Sequence, residues 1–432
     1  METALQQLIE RHAQAGFELP PQVQQQARWL VLDTLGCAIA GARSPTVRSW
    51  LDAQGLRTDP FGTALAQQAA PSAGAAMAFA LAACWDEACE GHARAHGRPG
   101  VAALAAIWPW VDKLHWGPLL RALVLGYEVG ARMGALLRIA PGMHVDGNWP
   151  ALGAAAAAAT AMGLDAGPTW SAVNTAACQL PMSLYRPIQT GDTARNTYLG
   201  HAAMLGQMAA QSAACGITAP QDAVACFLKV AYGKTMPSGE LPTDAFEILS
   251  AYFKPHAAVR HVHYGAQAAL ALRPQVDMAL IEGIDLWVYE EATIYCGIRQ
   301  AQTPLQAQFS LSFGVAAALR WGHLNPEAYA PDFFHDPLLR NLERKVTIHI
   351  EPTWGPQQMR AARLRLKLRD GRELENTATR VMGDALSPWR EADLVDKFLS
   401  YAQPSLGAKR AQAVAQHILH APAHAPIFPP AA

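Results

Sequence analysis

The sequence predicts two domains: a large all-α helical domain built from residues 1–268 and 390–432, and a smaller α+β domain over 269–389. Three observations predict it. Apolar residues recur at helical spacing from the N-terminus to about residue 265. Two-residue alternation replaces that spacing after about residue 275, and helical spacing returns from about 390.

In the first stretch, QVQQQARWLVLDTLGCAIAG has helical periodicity and ends on Gly41, a candidate C-cap. PLLRALVLGYEVGARMGALL follows the same pattern, with Pro118 near its start. ALGAAAAAATAMGL, GPTWSAVNTAACQL and NTYLGHAAMLGQMAAQSAA read as further helices whose small residues let axes approach closely. In the second stretch, MALIEGIDLWVYEEA contains a strand-like run, and KVTIHIEP alternates Val346, Ile348 and Ile350 with polar residues. ARLRLKLRDGRELENTATR is a hairpin signal, Leu364, Leu366 and Leu368 alternating with basic residues before an Asp370-Gly371 turn. Helices are expected at QAQFSLSFGVAAALRWG and after Pro388, the last running through HILHAP and packing back on the first domain. The proline-rich tail APAHAPIFPPAA is expected to be extended or disordered. There are no tandem repeats.

The 432 residues are 51% hydrophobic and only 16% charged, enough to bury a large core and short of the usual charged fraction. With a net charge of -1 and a pI near 6.9, nothing favours nucleic acid or an anionic membrane as partner. Any anion must be held by locally gathered cations. Seven scattered cysteines without a CxxC pair read as reduced thiols. METALQQLIERHAQAG has neither a basic n-region nor an apolar h-region, so a cytoplasmic location is expected. The alanine-dominated run ALGAAAAAATAMGL is too short to span a bilayer.

Chemistry-bearing residues fall in four clusters. WDEACEGHARAHGRPG, residues 85–100, holds Glu87, Glu90, His92, His96 and Arg98 among glycines that break a helix. A solvated loop is the ordinary reading, but its strongly apolar flanks favour a site. APGMHVDGNWPALGAAAAAA places His144 in a Gly/Pro-bounded loop before a small-residue helix, whose N-terminus offers free N–H groups to an anion; alone, His144 reads equally as a loop histidine. YFKPHAAVRHVHYGAQAAL gathers Lys254, His256, Arg260, His261 and His263 ahead of another small-residue helix. Arg260 there could hold a carboxylate, and Lys254 or His263 could move a proton; a basic surface loop is the alternative. In LYRPIQTGDTARNTYLGH, Arg186 and Arg195 flank Gly191, the weakest of the four signals. Cys89, His92 and His96 have ligand-like spacing and His261 with His263 forms an HxH pair, so a zinc site is the alternative to a metal-free one. Gly91 and Gly97 bracket the turn that would have to be helical to align His92 with His96, which favours the metal-free reading. Neither GxGxxG after a strand nor GxxxxGK[ST] occurs.

Seven segments in order resemble the MmgE/PrpD family, which contains 2-methylcitrate dehydratase, cis-aconitate decarboxylase and iminodisuccinate epimerase: LDTLGCAIAGA, ALVLGYEVGARMG, GMHVDGNWPALGAAAAAA, FKPHAAVRHVH, TPLQAQFSLSFGVAAAL, HDPLLRNLERKV and GDALSPWREADLVDKF. The resemblance implies a homodimer whose helical domain carries a smaller lid domain, with an active site between them and no metal or organic cofactor. It puts His144 on the family's loop histidine, Lys254 on its lysine, His263 on the histidine closing that segment, and Arg186 where the decarboxylases carry lysine. The first cluster departs from the pattern: Glu87 and Glu90 match acids, but Cys89 replaces an aspartate and Arg98 the histidine before Pro99-Gly100, with His96 as a possible substitute. Val259 stands where relatives have cysteine or histidine.

The implied reactions share one demand: negative charge must develop on carbon beside a carboxylate, and preorganised cations lower that barrier. Arg98, Arg186 and Arg260 are candidates to bind substrate, with Glu87 and His92; His144, Lys254, His96, His263 and Glu90 are candidates to move protons. The leading expectation is a cofactor-independent lyase, dehydrating or decarboxylating a small di- or tricarboxylate. An epimerase or isomerase of an amino- or imino-dicarboxylate is the first alternative, and a catalytically reduced polycarboxylate-binding relative the second.

Overall fold

The computed structural model describes residues 2–54, 56, 73–236, 245–355, 359–384 and 386–428. Eleven helices occupy the described residues up to Tyr232: α1 (Glu2–Ala13), α2 (Pro21–Gly41), α3 (Pro45–Ala53), α4 (Ala73–Cys84), α5 (Pro99–Ile107), α6 (Trp116–Leu136), α7 (Pro150–Ala161), α8 (Ala166–Ala177), α9 (Arg186–Thr190), α10 (Tyr198–Ala214) and α11 (Ala223–Tyr232). The alanine-rich helix α7 is the hub, packed by α5, α6, α8 and α10 and buried on every side from Pro150 to Ala159. A helix this poor in side-chain volume is stable in the centre because its neighbours come close. A Cβ on Gly153 would lie 2.5 Å from the Gly126 carbonyl oxygen, and one on Gly126 would lie 2.6 Å from Ala157 Cβ. Small residues thus buy dispersion contact between backbones.

Four two-residue strands, β1 (Gly91–His92), β2 (Met143–His144), β3 (Ser183–Leu184) and β4 (Ala251–Tyr252), staple loops together: β1 pairs with β4 and β2 with β3, both antiparallel. The next helices and strands are α12 (Arg260–Leu272), β5 (Ile281–Val288), α13 (Glu290–Cys296), α14 (Pro304–Gln308), α15 (Leu311–Trp321), α16 (Pro331–Phe334), α17 (Pro337–Lys345), β6 (Val346–Ile350), β7 (Ala362–Leu368) and β8 (Glu373–Ala378). They form a sheet of order β6-β5-β7-β8, parallel between β5 and β6 and antiparallel elsewhere. Ile284, Leu286, Leu364 and Leu366 are buried, with α12 against β7 and β8, α15 against β6 and α17 against β5. α18 (Glu391–Leu406) and α19 (Ala408–His420) return to pack on α2.

Strand β6 forms where expected, and its burial and the order of the tail differ in detail from the expectation. Of the β6 alternation only Val346 is buried; Ile350, at the strand end, is 51% exposed. The tail is ordered through Phe428: Ala425 and Ala423 carbonyls accept the Trp116 and Gly117 N–H groups at the start of α6, and Ile427 is buried. Residues 429–432 lie outside the described residues. Helix α12, which spans the expected 268/269 boundary, packs on α15 and the sheet.

Candidate active site

The loop between α4 and α5 carries Glu87 in a left-handed conformation, φ 52°, unusual for a residue with a side chain and tolerated where surroundings over-determine it. Strand β1 then ties this loop to β4, Gly91 opposite Tyr252. That pairing brings Lys254, just past β4, onto Glu87: Lys254 Nζ donates to Glu87 Oε1 at 2.7 Å and to the Glu87 carbonyl at 3.0 Å. From the other side Arg98, immediately before α5, donates to Glu87 Oε2 at 2.9 Å. Arg195, between α9 and α10, donates to the same oxygen. Arg98 also donates to Asp146, which lies 3.4 Å from Arg195. All five side chains are buried.

This cluster forms the floor of a cavity of about 320 Å³. Among its lining residues six are cationic (Arg98, Arg138, Arg195, Lys254, Arg260 and Arg360) against three acids, Glu87, Asp146 and Glu291. Excess positive charge with low-dielectric walls focuses an anion-attracting field. Burial alone would raise the Glu87 carboxyl, but Arg195, Arg98 and Lys254 outweigh it and hold the group well below the usual carboxylate range. Asp146 is likewise lowered against its own burial, by Arg98, His144 and Arg195. Arg195 Nε is buried without a hydrogen-bond partner among the described residues.

His144 sits in β2, paired with Ser183 of β3. Its Nδ1 accepts the Asp146 N–H at 3.1 Å, which puts the proton of the neutral ring on Nε2. Burial, then Arg195 and Arg98, lower its pKa to about 4 despite Asp146. A run of ring contacts leads from it across the wall: Tyr185 at 5.9 Å, Tyr295 at 5.4 Å from Tyr185, and His261 at 5.9 Å from Tyr295. His261, in the first turn of α12, shares a 2.6 Å hydrogen bond with Tyr289, and burial with Arg360 and Arg260 lowers its pKa to about 3.

Of the residues expected to bind substrate or move protons, the cavity therefore gathers Glu87, His92, His96, Arg98, His144, Lys254 and Arg260. His96, at φ 57°, is exposed. The His92 Nδ1 accepts the Ala95 N–H, and its Nε2 lies 3.3 Å from Glu247, so both ring nitrogens face protein. Arg260 is held by Asp384 at 2.7 Å and lies over the Tyr252 ring. Three expected residues do not line the cavity. Glu90 accepts the Gly100 and Val101 N–H groups and so caps α5; burial raises its pKa well above normal. Arg186 is exposed on α9, with only Gln189 within reach among the described residues. His263 bonds the Ala258 carbonyl and packs on His256. The physical reason is helical: α12 begins at Arg260, so His261 and His263 differ by about 200° around the axis, and only His261 lines the cavity.

Asp146, Arg195 and His261 were missed as site residues. Asp146 lies two residues after His144 in the same glycine-bounded loop, a signal available in the sequence; nothing local separates Arg195 from Arg186. Among the described residues no group of three or more His, Cys, Asp or Glu is placed to hold a metal; Cys89 Sγ turns to Arg98 at 3.5 Å.

A family model for the MmgE/PrpD N-terminal domain matches residues 12–234, and one for the MmgE/PrpD C-terminal domain matches residues 256–421. The chain belongs to the MmgE/PrpD family. No curated protein matches it. The MmgE/PrpD family includes dehydratase-type lyases, and the two matched segments each contribute to the cavity: Glu87, Arg98, His144 and Arg195 from the first, Arg260, His261 and Arg360 from the second. Lys254 falls in the gap between them. No helix among the described residues is long and apolar enough to cross a membrane.

Proposed function

We propose that this MmgE/PrpD protein is a cofactor-independent lyase that dehydrates or decarboxylates a small di- or tricarboxylate through a carbanion next to a carboxylate. The observation that carries the reading is the buried Glu87–Lys254–Arg98–Arg195–Asp146 cluster at the floor of a cavity with twice as many cations as acids. Arg98 and Arg195, immobilised by Glu87 and Asp146, take a substrate carboxylate and spread the charge that develops beside it, without reorganising during the reaction. Lys254, held by Glu87, moves the α-proton. His144 donates its Nε2 proton to the departing hydroxyl in a dehydration, giving an alkene and water; the α-proton stays on Lys254, and that lysine returns a proton through solvent to His144 as the product leaves. In a decarboxylation the same donor would quench the carbanion. The smaller domain acts as a lid, and the working form is a cytoplasmic homodimer.

An epimerase of an amino- or imino-dicarboxylate is the second reading, favoured by two cavity histidines, His144 and His261, at the two ends of one run of ring contacts and each with its pKa lowered. Incubation with citrate-like and succinate-like acids in deuterated water, followed by NMR, separates the readings. An alkene signal or released carbon dioxide supports the lyase; deuterium at an inverted centre supports epimerisation. Binding without exchange supports a catalytically reduced relative. Lys254→Ala and Glu87→Gln should each lower kcat by about 10²-fold or more; full activity in either removes that residue from the mechanism.

A further inference from the structure

Two motifs from opposite ends of the chain, LDTLG and LVDKF, meet behind the loop that carries Glu87. Lys397 Nζ on α18 lies 2.6 Å from Asp33 Oδ1 on α2 and donates to the Ala88 carbonyl at 2.7 Å. The Glu90 backbone N–H, nearby, acts to lower the Asp33 pKa, while Asp33 Oδ2 has no hydrogen-bond partner among the described residues. The pair therefore holds the loop backbone at Ala88, one residue beyond Glu87. Both side chains are buried, Asp33 at 3% exposure, with the Trp389 and Tyr401 rings around the ammonium at 5.7 and 5.5 Å. Neither residue lines the cavity.

A buried ion pair is weak evidence for a stabilising role, because desolvation offsets its attraction. The α2–α18 contact also has an apolar basis in Phe398 packed on Gly36. What the pair uniquely does is hold the Ala88 carbonyl beside a residue at φ 52°, a conformation that persists only where its surroundings enforce it. We propose that Asp33 and Lys397 are positioning residues: Asp33 holds the Lys397 ammonium on the Ala88 carbonyl, so that Glu87 keeps its left-handed backbone and presents its carboxylate to Lys254, Arg98 and Arg195. The inference rests on the reading of that cluster as catalytic.

The test compares wild type with Asp33→Asn/Lys397→Met, which removes both charges and leaves neither one buried alone. Lys397→Met by itself is the second variant, since burial already raises the pKa of Asp33 and favours its neutral form. On whichever acid the wild type turns over, the double variant should lose kcat by about tenfold or more while KM stays within about threefold, the signature of a misplaced catalytic group. Hydrogen–deuterium exchange should rise across residues 85–92 and stay unchanged across α5. Unchanged kcat with unchanged exchange overturns the proposal, as does a lower melting temperature with kcat and KM intact. If the wild type turns over no polycarboxylate, the proposed function falls, and the exchange measurement still decides whether the pair positions the loop.

Discussion

His144 shows how one side chain's chemistry is set by its neighbours. The Asp146 N–H claims Nδ1, and burial beside two guanidiniums keeps the ring neutral, with its pKa lowered to about 4. Imidazole NMR should therefore find a neutral Nε2–H tautomer at pH 6; a midpoint near 6.5 would contradict the arrangement. The sign for stability follows. Between pH 6.5 and about 4 the unfolded chain protonates this histidine and the folded one does not, so acidification costs up to about 1.4 kcal/mol per pH unit from this group. His144→Gln should flatten that part of the slope, measured as urea midpoints at pH 7 and pH 5. His144 was legible as a candidate from its glycine-bounded loop, but which ring nitrogen carries its proton was not, because the tautomer depends on a backbone N–H two residues away.

Elements built from small residues carry their own vulnerability. With Gly126 and Gly153 in backbone contact, α6 and α7 have no room for a methyl group. Gly153→Ala should destabilise by about 1–3 kcal/mol, as overpacked cores do, and a Gly153→Ala protein with an unchanged urea midpoint would show that the helices can separate freely. At the C-terminus, Ala423 and Ala425 satisfy N–H groups at the start of α6 and Ile427 fills the space beside it. Ending the chain at His420 should cost about 2–4 kcal/mol from lost burial and hydrogen bonds, read by the same denaturation. The helices and the β7–β8 hairpin were readable because periodicity is local. The ordered tail was not: proline content speaks for an extended backbone, and says nothing of whether a helix end elsewhere needs its carbonyls.

For the molecule as a whole, the net charge of -1 conceals a cavity where cations outnumber acids two to one. Such a field attracts polycarboxylates and repels divalent metal ions. Turnover should accordingly survive dialysis against EDTA; activity lost to the chelator and restored by zinc would overturn the metal-free reading. Residue spacing and composition suffice to specify an alanine-rich helical body, a sheet-bearing second unit and the loops that hold reactive side chains, since each depends on interactions within a few residues. Which of those side chains share a cavity is a different matter. Arg195 rather than Arg186, His261 rather than His263, and Glu90 as a helix cap rather than a cavity residue follow from where α9, α12 and α5 begin and which way they face. The phase of α12 and the cap on α5 are settled where those helices begin, whereas Arg195 meets Glu87 only when segments more than a hundred residues apart bury their charges together.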